Sequence, residues 1–113
     1  MIKDEQRHDE RAKVWLPIRL TSDEGEVPAV SADASEMGAL VLAPRALAVG
    51  SRVTLSFDIP GNPPTVRTTM GEVVRSESNV EDPHGLWPYR LAVTFDSPVP
   101  ELDAEALAPL SRR

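Results

Sequence analysis

Two short clusters of polar residues near the N-terminus have the residue types and the spacing of a nucleotide-binding site. The first is RHDER at residues 7–11, and the second is DASEMG at residues 33–38. Guanidinium groups, here those of Arg7 and Arg11, bond bidentately to phosphate oxygens and stack on purine faces. A carboxylate and a hydroxyl, here those of Asp33 and Ser35, can hydrogen-bond to the edge of a guanine. This chemistry is that of binding, not of catalysis.

Each cluster also has a purely structural explanation. The arginines can belong to a solvated charged arm, in which the intervening Asp9 and Glu10 pair with them. Asp33 and Ser35 can hydrogen-bond to nearby backbone in a turn, and Gly38 can adopt a positive φ there. What favours a ligand is their combination, because one cluster directly precedes the first expected strand and the other is expected to lie exposed between the second and third strands.

Composition removes most catalytic and metal-binding alternatives. The chain has no cysteine and only two histidines, His8 and His84, so it lacks a thiolate nucleophile and a convincing set of metal ligands. Ser35 has no recognisable base and orienting acid, which excludes it as a nucleophile. We therefore expect no enzymatic activity, no metal and no cofactor.

Charge and length set further limits. The net charge of −6 and the aromatic content of 4% argue against binding to a nucleic-acid polymer. The opening residues are charged and lack the apolar core of a secretion signal, and no apolar run is long enough to cross a bilayer. These features predict a soluble, cytoplasmic protein without membrane insertion. A length of 113 residues fits one compact domain with one core.

Hydrophobic alternation predicts an all-β fold. Val53, Leu55, Phe57 and Ile59 alternate with polar residues and should point into the core. Similar patterns give six strands, separated by a turn at 21–26, a proline-rich loop at 60–64 and a polar connection at 76–85. The predicted strands are residues 14–20, 27–32, 39–43, 53–59, 66–75 and 87–95. We expect a six-stranded antiparallel β-barrel, followed by a short C-terminal helix within residues 100–110.

The motifs and their order along the chain resemble the PilZ domain family. That family carries an R-x-x-x-R arm and a [D/N]-x-S-x-x-G motif, which together bind cyclic di-GMP on the outside of a six-stranded barrel. The resemblance extends over nearly the whole chain, through the VWLPIRL, LAVGSRV and GEVVR segments at residues 14–20, 47–53 and 71–75. It implies a bacterial second-messenger receptor whose residues 1–11 form a flexible arm and whose residues 12–113 form one barrel domain with a C-terminal helix. The implied ligand-binding residues are Arg7, Arg11, Asp33, Ser35 and Gly38.

Three positions depart from the family pattern. Asp9 and Glu10 lie between the motif arginines and should weaken phosphate binding, Ala92 stands where the family often has glycine, and Gln6 stands where some members carry a further arginine. The Gln6 difference favours one nucleotide per domain. Four other arginines are further candidates for phosphate contacts, although the sequence does not show which face they occupy and a solvated surface position is the favoured expectation for each, namely Arg45, Arg67, Arg75 and Arg90.

Two functions remain open at this point. The first is a cyclic di-GMP receptor whose arm orders on binding and so changes the surface shown to a downstream protein. The alternative is a nucleotide-independent adaptor that uses the same barrel for protein association. The acidic balance of the chain favours the adaptor, whereas the intact pair of motifs favours the receptor.

Overall fold

A computed structural model describes residues 12–110, which form a closed barrel of six antiparallel strands in the order β1-β2-β3-β6-β5-β4. The predicted architecture is therefore confirmed. Within the described residues, no helix is long and apolar enough to cross a membrane. The strands are β1 (Pro17–Ser22), β2 (Gly25–Ala34), β3 (Gly38–Ala43), β4 (Arg52–Ile59), β5 (Thr65–Ser78) and β6 (Tyr89–Phe95).

The barrel interior follows the alternation of the sequence. Val53, Leu55 and Phe57 of β4 are buried, and the half-buried Ile59 packs against the same core. The prediction that this face points inward is thus confirmed. Phe57 meets Phe95 of β6 edge to face, with ring centroids 5.9 Å apart and an interplanar angle of 74°, a favourable aromatic geometry.

An extended segment, residues 12–16, precedes β1 and runs antiparallel to β2. The backbone of Ala12 exchanges two hydrogen bonds with Ala34, at 2.8 and 3.0 Å. The hydroxyl of the fully buried Ser31 donates to the Val14 carbonyl at 2.6 Å and accepts from the Leu16 N–H at 2.9 Å. The segment is therefore fixed to β2 at both of its ends, immediately after the N-terminal arm.

The C-terminal residues close against the core. A 3-10 turn at Pro100–Leu102 leads into a one-turn helix, α1 (Ala104–Leu107), and a second 3-10 turn at Ala108–Leu110. Leu102 and Leu107 are buried in the barrel core. The expected short helix is confirmed. Extended backbone at Asp103 separates the first 3-10 turn from α1, and the second 3-10 turn follows α1 directly.

The last strand begins later than the alternation predicted. Trp87 lies in the connection between β5 and β6, where Asn79 Nδ2 donates to its carbonyl at 2.7 Å and its N–H donates to Asp82 Oδ2 at 3.0 Å. These side chains replace a strand partner for the Trp87 backbone, so β6 starts at Tyr89.

Candidate ligand site on the outer wall of the barrel

A β-bulge in β2 turns Asp33 to the outside of the barrel. Ser31 pairs with Val41 and Asp33 pairs with Leu40, so two residues of β2 advance against one residue of β3. In regular pairing Asp33 would share the face of the fully buried Ser31. The extra residue reverses that alternation, a known use of bulges beside functional sites. Asp33 therefore lies half-buried on the outer wall.

A second bulge does the same for Arg75 in β5. Val73 pairs with Val93, and Arg75 pairs with Ala92, so β5 also advances by two residues against one. Val73 is fully buried, whereas Arg75 is exposed. Strict alternation would have placed each of these two charged residues in the core, and the bulges place them on the outside of the barrel instead.

The two bulged positions belong to one row across four strands. The row consists of Asp33, Leu40, Ala92 and Arg75, because each is the register partner of the next. Together with Ala39 these residues line a surface depression of about 250 Å³. The depression offers a carboxylate at one end, a guanidinium at the other and apolar surface between them, which suits a ligand that carries both a base edge and a negative charge.

Ser35 holds the turn after β2 and does not face outward. Its backbone N–H donates to the Gly38 carbonyl at 2.8 Å, and its hydroxyl lies 3.3 Å from both that carbonyl and the Met37 nitrogen. The side chain is 1% exposed. The expectation that this motif is exposed is thus wrong at Ser35, because the hydroxyl serves the turn backbone. A contact between Ser35 and a ligand stays a prediction.

Gly38 allows β3 to approach β6 closely. A Cβ atom on Gly38 would lie 2.5 Å from the Val93 carbonyl oxygen of β6. Among the described residues only Gly25 and Gly50 have a positive φ, so a left-handed conformation is not the reason for glycine at position 38. The structural need for this glycine comes from neighbouring backbone, and its role toward a ligand stays a prediction.

The N-terminal motif lies outside the described residues, yet its point of attachment is defined. Ala12, which follows Arg11 in the sequence, is hydrogen-bonded to Ala34, the neighbour of Asp33. The arm that carries Arg7 and Arg11 is therefore joined to the barrel beside the second motif. The first motif is thus attached to the barrel next to the second, although the two are more than twenty residues apart in the sequence.

The four arginines expected at solvated surface positions occupy different environments, and Arg90 departs from that expectation because it is only partly exposed and its Nε is buried. Arg67 Nε lies 2.9 Å from Glu101 Oε2, and this guanidinium lowers the pKa of Glu101 below its ordinary value. Arg45 is an exposed residue of the connection after β3. Arg75, by contrast, lines the depression. The sequence named it among four further candidates for phosphate contact but favoured a solvated position, because the alternation of one strand does not group it with Asp33.

No described residues form a metal site: residues 12–110 contain no cluster of three or more histidine, cysteine, aspartate or glutamate side chains placed to hold an ion. The groups that the wall does present are a carboxylate at Asp33, a guanidinium at Arg75 and apolar surface between them, and these suit hydrogen bonds, ion pairs and apolar contact.

Similarity to known proteins agrees with this architecture. The PilZ domain family matches residues 5–112. The structure of the Bacillus subtilis inhibitor of motility, MotI/DgrA, superposes with a TM-score of 0.67 at 16% identity, over 88% of this chain and 46% of that one. The PilZ domain of CeSA from a cellulose-synthesizing bacterium gives a TM-score of 0.57 at 16% identity, over 89% and 94%.

The chain spans about half the length of the motility inhibitor, so that likeness concerns the barrel alone. No curated protein sequence is significantly similar to the chain. PilZ domains are generally binding and adaptor modules rather than enzymes, and generally receptors for cyclic di-GMP. Because the family match extends over almost the entire sequence, this chain belongs to the PilZ domain family.

Proposed function

We propose that this PilZ domain is a cyclic di-GMP receptor that acts on a downstream protein by contact. In this proposal the carboxylate of Asp33 accepts hydrogen bonds from the N–H groups of a guanine. Arg7 and Arg11 bond to phosphate oxygens or stack on the base. No covalent chemistry is involved, and the domain needs no metal or cofactor.

The observation that carries the proposal is the bulge that turns Asp33 outward at the point where the arm joins the barrel. Strict alternation would have turned this carboxylate toward the apolar barrel core, which is energetically unfavourable. On the outer wall it stands beside a depression whose far end carries Arg75. The Ala12–Ala34 bridge joins the arm to the same edge, so both motifs can reach one ligand.

The signalling step in this proposal is an ordering of the arm. A ligand that bonds at once to Asp33 and to the arm arginines ties residues 1–11 to the outer wall, and this changes the surface available to a partner. The anchored segment, residues 12–16, confines that change to the residues before Ala12. The downstream protein is then recognised by contact with the arm and the wall.

Calorimetric titration with cyclic di-GMP tests the proposal directly, with cyclic di-AMP as the base-specificity control. We expect saturable binding of cyclic di-GMP and much weaker binding of cyclic di-AMP, because Asp33 accepts from N–H groups that adenine does not present in the same place. Asp33→Ala should weaken cyclic di-GMP binding and reduce the preference between the two ligands. Wild-type protein that gives neither heat nor NMR shift changes at high micromolar nucleotide would refute a receptor function.

One observation favours the adaptor as the second candidate. Ser35 and Gly38, two of the three motif residues in the described part, have structural duties that need no ligand. A barrel that used the motif only to build its β2–β3 turn would still need both residues. Such a barrel could act as an adaptor, by association with a protein and without a nucleotide. The titration separates the two functions, since an adaptor does not respond to the nucleotide.

A further inference from the structure

We propose that Arg75 and Arg90 form an anion-binding pair on the barrel wall, which holds one phosphate of the ligand. This inference rests on the proposed function, because it assigns a subsite for the same cyclic dinucleotide. The pair adds a contact on the rigid barrel to those expected from the N-terminal arm.

The pairing register brings the two arginines together. Arg75 is the partner of Ala92, and Arg90 lies two residues earlier on β6, opposite Glu77. Arg75 and Arg90 are therefore diagonal neighbours on adjacent strands, with α-carbons about 7–8 Å apart. Leu91 of β6 is fully buried, so its neighbours Arg90 and Ala92 face outward, because alternate residues of a strand face opposite sides. Arg75 is the partner of Ala92 and lies on the same outer wall.

Arg75 and the Nε atom of Arg90 both have hydrogen-bonding capacity that the described residues around them leave open. Arg75 Nε lies 3.8 Å from Glu77 Oε2, and both side chains are about half exposed or more, so that ion pair contributes little. Arg90 Nε is buried and has no hydrogen-bond partner in the described part of the chain. Buried donors are almost always paired in native proteins, and an incoming phosphate oxygen supplies the missing acceptor.

Charge and geometry indicate a phosphate for this position. Two guanidinium forks carried by neighbouring strands can together match the several acceptor oxygens of a phosphate diester. The chain carries a net charge of −6, so an anion needs a local positive cluster of this kind. Asp33 and Arg75 are separated by three strand intervals, or about 14 Å, and the depression between them connects the two ends. A guanine at Asp33 and a phosphate at Arg75 can therefore belong to one molecule.

Glu77 competes with the ligand in this arrangement. It is the register partner of Arg90 and the ion-pair partner of Arg75. Its carboxylate lies where the phosphate oxygens would bind, and its negative charge repels the incoming anion. Removing that charge should strengthen binding, most clearly at low ionic strength, where exposed charges are least screened.

The test is a titration of full-length variants with cyclic di-GMP. Arg75→Ala and Arg90→Ala should each weaken binding about tenfold or more, the effect expected for loss of a charge-assisted contact. The matched control is Arg45→Ala, an exposed arginine beside Val27, at the opposite end of β2 from Asp33; its affinity should stay within about twofold of wild type, since exposed charges at a distance are screened. Unfolding midpoints measured in parallel should agree among the three variants.

Conservative variants separate a phosphate contact from a structural effect. Lysine retains the charge and loses the fork, so Arg75→Lys and Arg90→Lys should recover part of the affinity lost in the alanine variants. Glu77→Gln should tighten binding at low salt, with the gain shrinking as salt is added. If the wild type binds and both alanine variants bind equally well, the anion pair is refuted while the receptor function stands. If the wild type does not bind, the receptor function itself fails.

Discussion

Substitution of Gly38 by alanine tests whether the glycine of the second motif serves the fold. The added Cβ would lie 2.5 Å from the Val93 carbonyl oxygen, whereas an ordinary carbon–oxygen contact is about 3.4 Å. Strands β3 and β6 would have to separate locally by roughly 0.9 Å to relieve this contact. The hydrogen bond from the Phe95 N–H to the Met37 carbonyl, now 2.8 Å long, would then exceed the usual limit.

The expected cost follows from these two effects. Overpacking of a well-packed site costs about 1–3 kcal/mol, and a lost hydrogen bond adds about 0.5–1.5 kcal/mol. We therefore expect Gly38→Ala to lower the free energy of unfolding by about 2–4 kcal/mol. For a barrel of this size, that corresponds to a fall in Tm of at least about 8 °C. Urea denaturation followed by tryptophan fluorescence measures the change.

Two further glycines provide a matched comparison. A Cβ on Gly71 of β5 would lie 2.5 Å from the Thr94 carbonyl oxygen, on the other side of β6, so Gly71→Ala should be destabilising by a similar amount. Gly61 lies in the exposed loop before β5, and its nearest contact would be the Pro63 carbonyl at 3.2 Å; its alanine variant should stay within about 0.5 kcal/mol of wild type. Wild-type stability in Gly38→Ala would refute the reasoning.

Three other substitutions probe the wall, the anchored segment and the C-terminal closure. Ala92→Trp should fill the depression and abolish cyclic di-GMP binding in a titration without loss of the folded circular-dichroism spectrum, because Ala92 faces outward. Ser31→Ala leaves a buried N–H and carbonyl unpaired and should cost about 1–3 kcal/mol in urea denaturation. Arg67 lowers the pKa of Glu101, so the pair stabilises the fold above the ordinary value of 4.5 and loses that contribution as pH falls through the lowered pKa. Glu101→Gln should flatten the dependence of stability on pH in that acidic window and leave it unchanged above; an unchanged acid profile would contradict the assignment.

Much of the barrel could be predicted from the sequence because burial on one face of a strand leaves a period of two. Val53, Leu55 and Phe57 are buried as that period requires, and the proline-rich loop at 60–64 ends β4 where a strand cannot continue. Trp87 was misplaced because a loop stabilised by side chains of Asn79 and Asp82 has no such period.

The candidate site was only partly predictable, because two bulges determine it. A bulge adds one residue and reverses the faces of all that follow, and it needs no distinctive residue type. Strict alternation would have assigned Asp33 and Arg75 to the inner face, and it gave no reason to group them. Pairing with Leu40 and Ala92 places them in one row, and this is information about partner strands that a single strand's sequence does not contain.

The residues of the second motif have different roles, so the presence of the motif in a sequence is not by itself evidence of ligand binding. Ser35 and Gly38 are required by the turn and by the approach of β3 to β6, so selection for the fold alone would retain them. Asp33 differs from them in position: the bulge places its carboxylate on the outer wall, beside the depression and the attachment point of the arm. Under the proposed function, we therefore expect ligand binding by this barrel to depend on the charged residues of the outer wall, Asp33 and Arg75. A chain that kept Ser35 and Gly38 but lost both charges would still fold, and we expect it to bind no cyclic dinucleotide.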